Sequence, residues 1–138
     1  MAGKTWITLV VTAPPGAATP PHTHNNAAVI ATMIKGHMLN QMVHPELSSG
    51  TADTKDGCAT VKGKPQPGPK VYGPGESWYE MPGCHHVRSE NVGEEEAQFV
   101  ANLVIDSSRL EAAENPVAGI FIIDAEEEEK LKLKNNTA

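Results

Sequence analysis

Residues 75–91 read GESWYEMPGCHHVRSEN, and the fold turns on that stretch. Glu76 to Glu80 carries Trp78 and Tyr79 in a short run that suits a strand. Pro82-Gly83 closes the run with a tight turn, and Cys84-His85-His86 follows at once. Working outward, the same grammar recurs. Thr5 to Thr12 is rich in β-branched residues and stops at Pro14-Pro15-Gly16. Ala27 to Ile34 is a second strand, from which Gly36 turns the chain into His37 to Val43. Lys70 to Tyr72 runs into Gly73-Pro74-Gly75, and Gln98 to Ile105 and Ala118 to Ile123 complete the set. Short strands punctuated by 12 glycines and 11 prolines in 138 residues predict an all-β sandwich or barrel and argue against a helical bundle.

The rest of the chain narrows the function classes. At 138 residues there is room for a single domain, 1–138, and 39% hydrophobic residues suffice for a modest core. The net charge is −6 and the eleven Lys and Arg form no patch, so a nucleic-acid partner is not expected. No apolar run reaches the ~18 residues of a membrane span. Two cysteines, Cys58 and Cys84, are too few for a disulfide framework and predict reduced thiols in a cytoplasmic protein. The polar segment 44–69 is longer than the ~12–15 residues common for a loop; it reads as a long flap, in which Ala59 to Lys62 is a candidate edge strand. Ser107 to Glu114 suits one or two helical turns before Pro116. The charged tail, 125–138, has Glu126/Lys130 and Glu128/Lys132 pairs in the order that favours a short helix.

Four of the six histidines sit in two clusters, Pro20-Pro21-His22-Thr23-His24 and Cys84-His85-His86. On extended backbone residues i and i+2 share a face, so His22 and His24 can aim two imidazoles at one point, the donor set that first-row transition metals take. About sixty residues separate the clusters, and only a closed fold brings them together. His37 and His44 lie outside both and read as surface residues. Cys58 and Cys84 show no CxxC pairing and are not read as catalytic.

In the order HxH, Gly, Gly, Pro-Gly, His, Asn, carried here by His22, His24, Gly36, Gly75, Pro82-Gly83, His86 and Asn91, the chain resembles the cupin family, specifically small single-domain type-2 cupins with the RmlC-like jelly roll. The likeness covers about Thr5 to Ile123, with Met81 where the second motif often has its first proline. It implies an antiparallel jelly-roll barrel, core about 5–123, around one divalent transition metal. Its ligand roles fall on His22 and His24 from the first motif and on His86, three residues past Gly83, from the second; His85 has the neighbouring parity. The acidic ligand usual in the first motif is missing, because Ala28 or Val29 stands at its position. Gln41 and Glu80 are then candidates for an outer or fourth ligand, Glu80 alternatively for holding an imidazole in its tautomer or moving a proton. Asn40 is a candidate substrate contact. Met33, Met38 and Met42 would line the barrel, and Trp78 and Phe99 would bound a pocket for a flat apolar ligand.

Three neutral imidazoles leave an ion its full charge and open positions, which suits a chelating enolate, phenolate or carboxylate. The expected function is therefore a metal-dependent enzyme acting on a small enolic, phenolic or polyketide-like molecule. The resemblance to cupins, among which three-histidine sites are associated with dioxygenases, implies Fe(II) and dioxygen chemistry first, with Zn, Mn or Ni as alternative metals. A redox-neutral cyclase, isomerase, dehydratase or decarboxylase is the second reading, and a non-catalytic metal- or ligand-binding barrel the third. No other cofactor is expected. The partners are a small-molecule substrate and, by analogy with small cupins, a second copy of the chain in a homodimer.

Overall fold

A computed structural model describes residues 2–43, 68–123 and Leu133. The longest strand, β1 (Lys4–Ala13), alternates strictly. Trp6, Thr8 and Val10 face out, and Ile7, Leu9 and Val11 face in, the period-2 pattern of a sheet with one buried side. After β2 (His22–Thr23) come β3 (Ala28–Lys35), β4 (Met38–Val43), β5 (Lys70–Tyr72), β6 (Ser77–Glu80), β7 (His85–Glu90) and β8 (Ala97–Asp106). Two short helices, α1 (Ser107–Glu111) and α2 (Pro116–Ile120), and β9 (Ile122–Ile123) complete the described elements.

All pairings are antiparallel. One sheet has the order β1-β8-β3-β6 and the other β5-β4-β7-β2-β9. Because sequence neighbours are mostly not sheet neighbours, the chain crosses repeatedly between the sheets, and this is how a jelly roll is wound. The core lies between them. Val29, Met33, Trp78, Phe99, Leu103 and Ile105 come from the first sheet, and Met38, Met42 and Tyr72 from the second. The three methionines are thus core residues.

Gly36 makes the β3–β4 reversal possible. Its φ is +72°, and a Cβ there would lie 2.7 Å from both Ala97 Cα and the Glu96 carbonyl oxygen. Glycine alone meets both demands. Asn91 has a structural part: buried, its amide nitrogen donates to the carbonyls of Ala13 and Glu95, and its side-chain oxygen accepts from Gly93 N–H.

Six of the seven expected strands are present within a residue or two of their expected ends. The seventh, Ala118 to Ile123, is helical through Ile120 and a strand only at Ile122 and Ile123. Asn115 accepts a hydrogen bond from Ala118 N–H at 2.8 Å, and the chain winds through α2 before only Ile122 and Ile123 pair as β9. This cap outweighs the β-branched residues that suggested a strand. Two strands that apolar content does not announce are β2 and β7. Ser107 to Glu114 is helical over α1. Cys84 is buried and disulfide-bonded, so the expectation of reduced thiols does not hold for it. The candidate edge strand at Ala59 to Lys62, His44, Cys58 and the paired charges of the tail lie outside the described residues.

Candidate metal centre

Strand pairing brings the two histidine clusters into register. In the five-stranded sheet His22 of β2 stands directly opposite His86 of β7. His22 and His86 are buried, at 1% and 4% exposure, and the His24 side chain is 10% exposed. One ring nitrogen from each of the three lies within 4.8 Å of the others. His86, not His85, faces inward. Opposite β4, the register slips between Gln41 and Met42, where Arg88 and then His86 are the partners on β7. This extra residue lets His86 and Ser89 both be buried although three positions separate them.

Each ring is held by its far nitrogen. His22 Nδ1 donates to the Pro20 carbonyl at 2.8 Å and His24 Nδ1 to the Ile120 carbonyl at 2.9 Å. His86 Nε2 donates to Asn40 Oδ1 at 2.7 Å. A carbonyl oxygen only accepts, so these contacts place the protons there and leave the lone pairs on His22 Nε2, His24 Nε2 and His86 Nδ1. Hydrogen bonds of this kind orient metal-binding imidazoles and raise their basicity. Phe121 stacks on His22 at 4.1 Å with a 22° interplanar angle and meets His24 edge-on.

Glu80 enters from β6 and is 3% exposed. Its Oε2 accepts from Trp78 Nε1 at 3.2 Å. Its Oε1 lies 3.4 Å from His24 Nε2 and 3.2 Å from His86 Nδ1. Burial works against charge on this carboxyl, but the neighbouring His86 and His24 hold it well below the usual carboxylate range. Burial chiefly pushes His22 down to about 4, helped by the charges of its histidine neighbours. At His24 burial is outweighed by the neighbouring Glu80 carboxylate, which raises it above its ordinary value.

The remaining sequence candidates sort by strand parity. Asn40 is buried and bound to the His86 ring, so its carbonyl orients that imidazole. Gln41, one residue on, has the opposite parity, is half-buried and pairs opposite Arg88; the side chain that β4 delivers to the triad is Asn40. His37 is exposed. Trp78 and Phe99 line, with Val29, Leu103, Phe121 and the histidines, a cavity of about 90 Å³ that also reaches Glu80 and Ser89. The stacking ring of Phe121 and the carbonyl of Ile120 had no sign in the sequence, since a backbone acceptor leaves no residue signature.

The donor set fits a transition-metal ion. Ligand atoms sharing an ion at about 2.1 Å stand about 3.0–3.4 Å apart. His22 Nε2 and His24 Nε2 are 3.2 Å apart, a spacing that two ligands of one ion take.

No protein-family model and no curated protein matches the chain. Solved structures do. The cupin domain of Schizosaccharomyces pombe Cnp3 is similar at a TM-score of 0.54 and 11% identity, covering 77% of this chain and 57% of that one. An oxalate oxidase in complex with the substrate analogue glycolate gives 0.52 and 23%, covering 78% and 47%. A predicted oxalate decarboxylase from Thermotoga maritima gives 0.50 and 17%, covering 72% and 65%. The chain thus spans about half the length of the oxalate oxidase. Two antiparallel sheets wound as a jelly roll, agreeing in fold with these structures, make the chain a small domain of the cupin fold.

Proposed function

We propose that the chain is a metal-dependent enzyme acting on a small oxygenated organic molecule bound beside His22, His24 and His86. One observation carries this reading: three imidazole lone pairs converge at the wall of a mostly apolar cavity, each ring fixed by a hydrogen bond at its other nitrogen. A bound Fe(II) would supply a Lewis acid with open positions for a chelating substrate and dioxygen. Leu103, Trp78 and Phe99 exclude water from the substrate, and Phe121 keeps the His22 ring in place. A cavity of about 90 Å³ is well below the roughly 300–1,000 Å³ of drug-sized pockets, which supports the smallest enols, phenols and carboxylic acids over a polyketide.

A redox-neutral lyase or isomerase is the second reading, and Glu80 favours it as a buried carboxyl at the cavity wall. Elemental analysis of protein purified without chelators or a metal-binding tag tests both. Near-stoichiometric iron, with oxygen uptake on small enols or catechols, supports the oxygenase. Zinc, manganese or nickel without iron moves the function to the redox-neutral class, and a chain that takes up no transition metal overturns both. Alanine at His22, His24 or His86 is expected to abolish metal retention with the circular dichroism of the barrel unchanged, whereas His37→Ala keeps the metal.

A further inference from the structure

Among the described residues, two buried side-chain polar atoms lack a hydrogen-bond partner: Asn40 Nδ2 and Glu80 Oε1. The second is the more telling. A buried carboxylate oxygen is costly to leave without a partner, and the groups nearest this one are ring nitrogens of His24 and His86, at 3.4 and 3.2 Å. His86 Nδ1 and His24 Nε2 are the ring nitrogens that the hydrogen bonds to Asn40 and to the Ile120 carbonyl leave facing Glu80 Oε1. Its distances fall in the span expected of atoms sharing one ion, as does the 3.2 Å between His22 and His24.

Topology explains why a carboxylate stands there. The resemblance expects an acid at Ala28 or Val29 on β3, where the chain has none. In the four-stranded sheet Val29 is the register partner of Glu80 on β6. The side chains of Val29 and Glu80 are both buried, as directly opposed residues on one sheet face should be. The acid is thus displaced sideways by one strand at the same height in the barrel. Trp78, two residues earlier on the same face, ties down Oε2 and leaves Oε1 toward the imidazoles.

We infer that Glu80 is the fourth protein ligand of the metal centre, so that the site is three histidines and a carboxylate supplied from β6. This rests on the metal-centre reading above, and it lowers the net charge of the bound ion from +2 to +1. A harder, oxygen-containing set favours Mn(II) and Fe(II) over softer metals.

The test uses apo-protein prepared with a chelator and titrated with Co(II), whose visible d–d bands report the coordination shell. Wild type, Glu80→Gln, Glu80→Ala and the double variant Glu80→Ala/Val29→Glu are compared, each with a thermal melt to show folding. Wild type is expected to bind one Co(II). Glu80→Ala is expected to bind at least tenfold more weakly with altered d–d bands, and the double variant to recover part of the affinity. Glu80→Gln keeps the shape and supplies a folded comparison should the alanine variant melt early; it too is expected to bind more weakly, with shifted bands. If folded Glu80→Gln and Glu80→Ala show the wild-type spectrum, the carboxylate only orients His86 and the inference is overturned, with the three-histidine centre intact. If wild type binds no Co(II), the metal-centre reading itself fails.

Discussion

At the residue scale, the protonation pattern of the three histidines is asymmetric although they stand together. His22 is stripped of water and faces other imidazoles, so in metal-free protein it is expected to stay neutral down to about pH 4. His24 has Glu80 beside it, and this outweighs burial, so its ring is expected to hold a proton above the ordinary value of 6.5. In the apo-protein that proton is the cation among the acceptors, and an entering metal ion displaces it. Long-range ¹H–¹⁵N spectra of apo-protein across pH 3.5 to 8 check this. On raising pH, His22 should lose its proton first, near pH 4, and His24 only above its ordinary value; the reverse order would show that Glu80 is not beside His24. The sequence displayed the imidazoles but not this inequality, which depends on one carboxylate 56 positions away in the chain.

At the element scale, local chemistry and sheet context contributed differently to different parts. β1, β3 and β8 were legible because β-branched and apolar residues alternate along them, and Gly36 marked a reversal that the +72° φ confirms. Gly36→Ala is expected to destabilise the barrel by about 1–3 kcal/mol from the left-handed backbone alone, and by more where the new Cβ meets the β8 backbone; urea unfolding measures it. An unchanged midpoint would mean the β3–β4 turn can rearrange. β7 was not legible, because His85-His86-Val87-Arg88-Ser89-Glu90 has little apolar content. It is a strand because β4 lies on one side and β2 on the other, and its buried face is polar where it meets the centre. The segment at Ala118 to Ile123 failed the other way: a side-chain cap from Asn115 took residues of strand composition into a helical turn, and that turn sets the Ile120 carbonyl against His24.

At the scale of the whole molecule, the outward face of the four-stranded sheet is apolar for a surface. Trp6 and Val10 are 63% and 64% exposed, and Ile30, Ile34 and Tyr79 share the exposed parity of β3 and β6. Among the described residues β1 and β6 end that sheet, and open strand edges invite pairing. A homodimer is the expected state, and light scattering coupled to size-exclusion chromatography should return twice the chain mass. A monomer at micromolar concentration would leave that face to some other role.

The sequence by itself determined the class of fold, the three imidazoles and the absence of an acid at positions 28 and 29, because these depend on composition, on period-2 patterning and on residues close in the chain. Only the tertiary structure decided between His86 and His85, set Asn40 rather than Gln41 against the ring, and set Glu80 opposite Val29 and beside the imidazoles. Each of those outcomes rests on register and on a bulge between strands far apart in sequence. A one-residue slip in pairing reverses which side chains face the core, and register is fixed by the packing of whole sheets, a property that no short stretch of residues carries.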